Sequence, residues 1–168
     1  HTICKSHDDA SGGFSSAPKF PSPMKIDFLM AMGESAKIRS DSVMKERIDF
    51  CVNRTLEAMA RGGLFDHVGG GFFRYAIDDD WEVPHFEKML CDNALLLSTF
   101  SRAYRKYRLP LYRITVEKTI QWLLRELGSP EIGFSSSLSA DSNGKEGGYY
   151  LWERDELEKI IGKPDTDR

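Results

Sequence analysis

Three groups of residues in this chain have the types and spacing to move protons or grip a polar ligand. The first is His85 with Asp92. If a helix opens at Val83-Pro84, an advance of about 100° per residue puts His85, Met89 and Asp92 on one face, Lys88 at its margin and Glu87 nearly opposite. A histidine and a carboxylate facing one cavity form an acid/base pair. The competing reading is a buried histidine and an interior aspartate, each hydrogen-bonded for structure. The second group is Asp78, Asp79 and Asp80, followed by Trp81. These acids are the second catalytic candidates. An aromatic ring beside carboxylates suits a sugar site, because the ring covers the apolar face of a pyranose while the acids bind hydroxyls or move protons. A capped, solvated turn before a helix is the competing reading. Arg74, Tyr75, Trp81 and Asn93 complete a candidate substrate-binding set. The third group lies in "SADSNGKEGGYYLW", where Asp141, Glu146 and Trp152 surround good turn chemistry at Ser142-Asn143-Gly144.

Other chemistries find less support. Asp66-His67 is a single neighbouring pair, too little for a metal site, and no cofactor motif is present. Five glycines between 62 and 71 mark backbone bends, but no phosphate-loop lysine accompanies them. Cys4, Cys51 and Cys91 are far apart, with no C-x-x-C, as expected of reduced thiols in a cytoplasmic protein. Asn53-Arg54-Thr55 fits a glycosylation pattern but falls inside an expected helix. The net charge of −3 and the absence of a basic block argue against nucleic acid as a partner. No apolar run reaches the roughly 18 residues that argue for a membrane span. The chain starts at His1 and ends on a polar tail, and reads as a piece of a longer protein.

The positioning elements follow from hydrophobic period and caps. Residues 1–22 read as an irregular leading segment, since Pro21 and Pro23 prevent a helix through that point. A first helix is expected over 23–36, with Ile26, Leu29, Met30 and Gly33 packed. A second is expected over 41–61, where Met44, Ile48, Cys51, Val52, Leu56 and Met59 make an amphipathic stripe that Asp41 or Ser42 caps and Gly62-Gly63 ends. A third is expected over 84–107 with Leu90, Asn93, Leu97 and Ser101 on one face. The fourth, over 110–127, should bury Tyr112, Val116, Ile120, Leu123 and Leu127. Paired extended segments follow near 132–152, then a short helix over 154–161.

Gly-Phe recurs at 13–14, 71–72 and 133–134, spacings of 58 residues (13 to 71) and 62 residues (71 to 133). Two helices fit each interval, which suggests stacked helical hairpins. Loops rich in acids and aromatics favour a closed ring in which they converge on a pocket. The fold class is therefore all-α, part of an (α/α) toroid, with residues 23–168 as its N-terminal part.

"GGFSSAPKFPSP", "RGGLFDHVGGGFFRYAIDDDWEVPHFEKMLCDNALL" and "ADSNGKEGGYYLW" together closely resemble the spermatogenesis-associated, thioredoxin-domain-containing protein family. Cys91 stands where that family usually has tyrosine, and Ser139 where it usually has a further aspartate, leaving Asp141 as the candidate acid there. The resemblance implies a preceding thioredoxin-like domain, and a helical domain like the six-hairpin toroids of glycosidases and N-acylglucosamine 2-epimerases. It places Gly70-Gly71-Phe72, Asp78–Asp80, Lys88 and Asp92-Asn93 at a pocket. Two functions follow as expectations: a carbohydrate-active or carbohydrate-binding toroid, or a non-catalytic scaffold for a thioredoxin-like domain or a protein partner.

Overall fold

The computed structural model describes residues 2–131 and 133–162. In chain order the elements are α1 (Thr2–Lys5), α2 (Pro23–Gly33), α3 (Ala36–Arg39), α4 (Ser42–Arg61), β1 (Tyr75–Ala76), β2 (Pro84–His85), β3 (Lys88–Met89), α5 (Leu90–Tyr107) and α6 (Pro110–Trp122). A π-turn, Leu123–Leu127, continues α6. Then come β4 (Gly128–Ser129), β5 (Gly133–Phe134), β6 (Ser137–Leu138), β7 (Asp141–Ser142), β8 (Lys145–Glu146) and α7 (Arg154–Ile161).

Helix α4 keeps the expected bounds because both ends carry local signals. The Asp41 carboxylate accepts from Met44 N at 3.0 Å, and Gly62 N closes on Ala58 O. Its apolar stripe, Ile48, Cys51, Val52, Leu56 and Met59, is fully buried. Helix α2 packs on α4 and α5, and α5 packs on α6, so two helical hairpins share one core. The first helix stops at Gly33, and the short α3 follows behind Ser35, whose hydroxyl accepts from Ile38 N.

The third helix differs from expectation. It opens at Leu90, not at Pro84, and residues 84–89 are extended. Proline forces the residue before it towards extended geometry, and here the extension is continued by partners far along the chain. Tyr75 pairs with His85 and Ala76 with Pro84; Lys88 pairs with Leu138 and Met89 with Ser137. The buried face of α5 is accordingly Asn93, Leu96, Phe100 and Ala103, while Ser101 is exposed. On α6 the buried line runs through Tyr112, Thr115, Thr119 and Trp122, and Ile120 is exposed. The leading segment also holds one unexpected helical turn, α1, whose Cys4 joins the core.

The Gly-Phe repeat is a real structural unit, and it is longer than the dipeptide. Gly13, Gly71 and Gly133 all have positive φ (91°, 79° and 88°), which side-chain-bearing residues rarely adopt. In the first loop, Gly12 N donates to Asp8 O and Asp8 N to Gly13 O, at 2.8 and 3.0 Å. In the second, Gly70 N donates to Asp66 O and Asp66 N to Gly71 O, at 2.9 and 3.0 Å. Each aspartate is gripped by a buried lysine: Lys19 Nζ lies 2.7 Å from Asp8 Oδ2, and Lys88 Nζ 2.7 Å from Asp66 Oδ2. Phe14 and Phe72 enter the core behind these loops. The third copy lacks the acid, since Gly128 occupies that place. Its ends pair directly, Gly128 with Phe134, and Phe134 is half exposed.

Candidate functional site

The strand pair β1/β2 and the first turn of α5 bring four of the expected residues near each other. Arg74 Nη1 lies 3.0 Å from Glu87 Oε2, and Arg74 Nε lies 3.9 Å from Asp92 Oδ2. Tyr75 and His85, cross-strand partners, stack at 4.7 Å with an 8° interplanar angle. Tyr75 also meets Phe20, ring centroids 4.9 Å apart. His85 Nε2 lies 3.7 Å from Glu146 Oε1 on β8. His85 is thus on a strand rather than at a helix N-terminus, and Asp92 takes that place. Glu87, expected to point away, joins the ion cluster because its segment is extended. Among the described residues no hydrogen bond or ion pair joins His85 to Asp92.

Two buried polar atoms here have no hydrogen-bond partner among the described residues: His85 Nδ1 and Asp92 Oδ2. Burial raises the Asp92 carboxyl above the usual carboxylate range, against the pull of Arg74. The Cys91 thiol pulls the same way as Arg74, and burial prevails over both.

The acids at 78–80 are placed differently. Asp78 accepts from Val83 N, Asp80 N and Glu82 N at 2.5, 2.7 and 3.1 Å. Burial works to raise its carboxyl, but these backbone amides hold it below the ordinary value. Asp79 accepts from Ala17 N, and Asp80 from the Ser11 hydroxyl. The run closes its own turn and fastens the leading segment. Trp81 is fully buried, with positive φ, and its Nε1 donates to Ser11 O. Asn93 is also fully buried: it accepts from Phe72 N and donates to Phe72 O and Met89 O, at 2.7, 2.9 and 2.9 Å. It ties the second Gly-Phe loop to the start of α5. Asn53, the glycosylation-like position, lies within α4 and accepts from the Tyr112 hydroxyl.

A cavity of about 300 Å³ opens between Asp66, Lys88, the π-turn and the segment 138–150. Lys88 is fully buried at its floor. Its ammonium donates to Asp66 Oδ2 and to Gly70 O at 2.7 and 2.8 Å, and faces the rings of Phe73, Trp122 and Tyr150. Burial lowers the Lys88 ammonium below the ordinary lysine range, with Asp66 opposing. Lys19 makes the same grip on Asp8, so the Lys88–Asp66 pair is first of all a device of the repeat. The cavity wall includes Asp141, the one candidate from the third group to line it. The resemblance places Lys88 at a pocket, whereas Arg125 and Glu126 are wall residues that sequence reasoning did not single out. The signal available for the Lys88–Asp66 pair was the doubled pattern D-x-x-x-G-G-F, at 8–14 and 66–72.

No family model matches the chain. Over 164 residues, 94% of the chain, it is 37% identical to spermatogenesis-associated protein 20 of Homo sapiens. Homologues named spermatogenesis-associated protein 20 thus cover 94% of the chain. The Mus musculus protein of that name is 35% identical over 164 residues, and uncharacterized protein B0495.5 of Caenorhabditis elegans is 36% identical over 169. The chain spans only about one fifth of these curated relatives: 20% of the human protein and 22% of the nematode one. Among solved structures, a sugar epimerase from a ruminal bacterium matches 99% of this chain with TM-score 0.65 and 14% identity, over 48% of its own length. Cellobiose 2-epimerase from Spirochaeta thermophila matches 98% with TM-score 0.66 and 14% identity, over 46% of its length. The chain therefore has the fold of part of the epimerase (α/α) toroid, as its hairpin repeat led one to expect. Among the described residues no helix is long and apolar enough to cross a membrane.

Proposed function

We propose that this chain forms the opening hairpins of a carbohydrate-active toroid within a longer protein. Its Arg74–Tyr75–His85–Asp92 cluster would face the sugar. The observation that carries the reading is the pair of buried atoms without a hydrogen-bond partner among the described residues, His85 Nδ1 and Asp92 Oδ2, the latter with only a long 3.9 Å ion pair to Arg74. A polar atom buried without a partner costs about 1–3 kcal/mol, and a ligand rich in hydroxyls would relieve that cost. In this reading Asp92, its carboxyl raised by burial, and His85 exchange protons with the sugar, as epimerisation and glycoside hydrolysis both require. Arg74 holds a sugar oxygen and Tyr75 supports the His85 ring. Asp78, Asp79, Asp80, Trp81 and Asn93 build the wall without touching the ligand. The structures sharing the fold are named sugar epimerases, which supports the substrate class.

A second reading, a scaffold supporting a thioredoxin-like domain or a protein partner, draws on the tight internal bonding of the acids at 78–80. A binding and turnover screen of the full-length protein over a sugar panel, with His85→Ala and Asp92→Asn, separates the two. Binding that both variants lose while keeping the wild-type fold supports the enzyme. No binding of any sugar, with both variants merely less stable, would leave the scaffold.

A further inference from the structure

The cavity of about 300 Å³ is a second polar region, separate from the His85–Asp92 cluster but joined to it by one hairpin. Its charges largely cancel in pairs. Lys88 is spent on Asp66 and Gly70 O, and Arg125 on Glu126 Oε1 and Gly69 O. Asp141 is left over. Its carboxylate makes no hydrogen bond or ion pair among the described residues, although its backbone N–H donates to the Ser139 hydroxyl. Beside it stand Ser142, Tyr149 and Tyr150, whose hydroxyls are likewise without a partner among the described residues, and the ring of Trp122. Burial pushes the Tyr150 hydroxyl up to about 12.

We infer that this cavity seats a single neutral sugar ring and that Asp141 is its selectivity residue, turning away phosphorylated and acidic sugars. The inference rests on the carbohydrate reading above and goes further by naming the subsite and the substrate class. Size agrees: at about 30 Å³ per water, the cavity holds on the order of ten waters, room for one pyranose ring. Chemistry agrees too, since free hydroxyls and a carboxylate beside aromatic rings match the hydroxyls and apolar face of a pyranose. A phosphate or uronate would meet the Asp141 carboxylate, with both nearby cations already engaged. Position links the subsite to the proton-moving groups. Asp141 is the cross-strand partner of Glu146, and Glu146 lies 3.7 Å from His85. The strand that carries Asp141 is therefore one strand spacing, roughly 5 Å between backbones, from the strand whose Glu146 meets His85.

Saturation-transfer NMR on the full-length protein tests this, using methyl glycosides of neutral hexoses, hexose 6-phosphates and hexuronic acids as probes. Neutral glycosides should bind and the two anionic classes should not. Asp141→Asn should weaken neutral binding about fivefold, the difference between a charge-assisted and a neutral hydrogen bond, and Asp141→Lys should admit the anionic sugars. The residue is exposed, so unchanged melting temperatures verify that both variants fold. Equal binding of neutral and anionic sugars, or an Asp141→Asn variant with wild-type affinity, would overturn the subsite. The carbohydrate reading would still stand if that binding were lost on Asp92→Asn. Absence of binding by every probe would overturn both.

Discussion

Asp92 carries opposite demands. Burial raises its carboxyl, so the ionised form at neutral pH is held in the fold at a cost. A group whose folded pKa lies above its unfolded value stabilises the fold at low pH and loses that contribution as pH rises from the unfolded value through the folded one. Asp92→Asn removes the charge and keeps the shape. We expect the variant to melt at or above the wild-type temperature at pH 7, with its advantage shrinking towards pH 3. Thermal melts across that range check this. A variant less stable than wild type at every pH would show Asp92 to be a structural carboxylate. The same logic separates it from Asp78, whose carboxyl is held down by backbone amides and whose removal should weaken the turn.

At the scale of elements, the two D-x-x-x-G-G-F loops are stabilised by the same contact, and each is a point of failure. Lys88 is buried against Asp66, so Lys88→Met leaves a carboxylate without its cation. Removing one partner of a buried ion pair costs about 3–5 kcal/mol, and we expect a loss of that order by chemical denaturation. Burial works to raise the Asp66 carboxyl, but the Lys88 bond holds it below the ordinary value. The lock's contribution is therefore present above the unfolded carboxylate pKa and is lost as pH falls through the lower folded one. The mutational deficit should shrink in acid. An equal deficit at pH 7 and pH 3 would mean that Lys88 acts through packing alone.

These elements also show what the sequence could and could not tell. The bounds of α4 and α7 were legible because their signals are local: Asp41 and Gly62 for one, Gly162 at the end of the other. The stretch 84–89 was not, because its partners are Tyr75 on one side and Ser137 on the other. A proline followed by an apolar pattern signals a helix start, and non-local pairing overrode it. His85 and Asp92 were legible as a pair of interest, but the face they were assigned to does not exist. Glu87 entered the cluster for the same reason.

The whole molecule is an arc of two hairpins with apolar side chains left over. Leu95, Ile120, Leu124, Phe134, Leu151 and Trp152 are all at least 40% exposed, and α7 has no buried residue. Exposed apolar area on this scale marks surfaces that other protein covers. The 168-residue chain made alone is expected to self-associate, with sedimentation showing species larger than its 19.1 kDa mass. A monomer that melts in one cooperative step would overturn this. The loop locks bear on how such an arc is built. Lys19 is 11 residues from Asp8, and Lys88 is 22 from Asp66. Both bonds close within a short length of chain, so each corner can set soon after it leaves the ribosome, before the following hairpin is made. Among the described residues the third corner has no such bond; its ends are held by the Gly128–Phe134 pairing instead. Assembly would then run in the direction of synthesis, with the cavity wall among the last parts to settle.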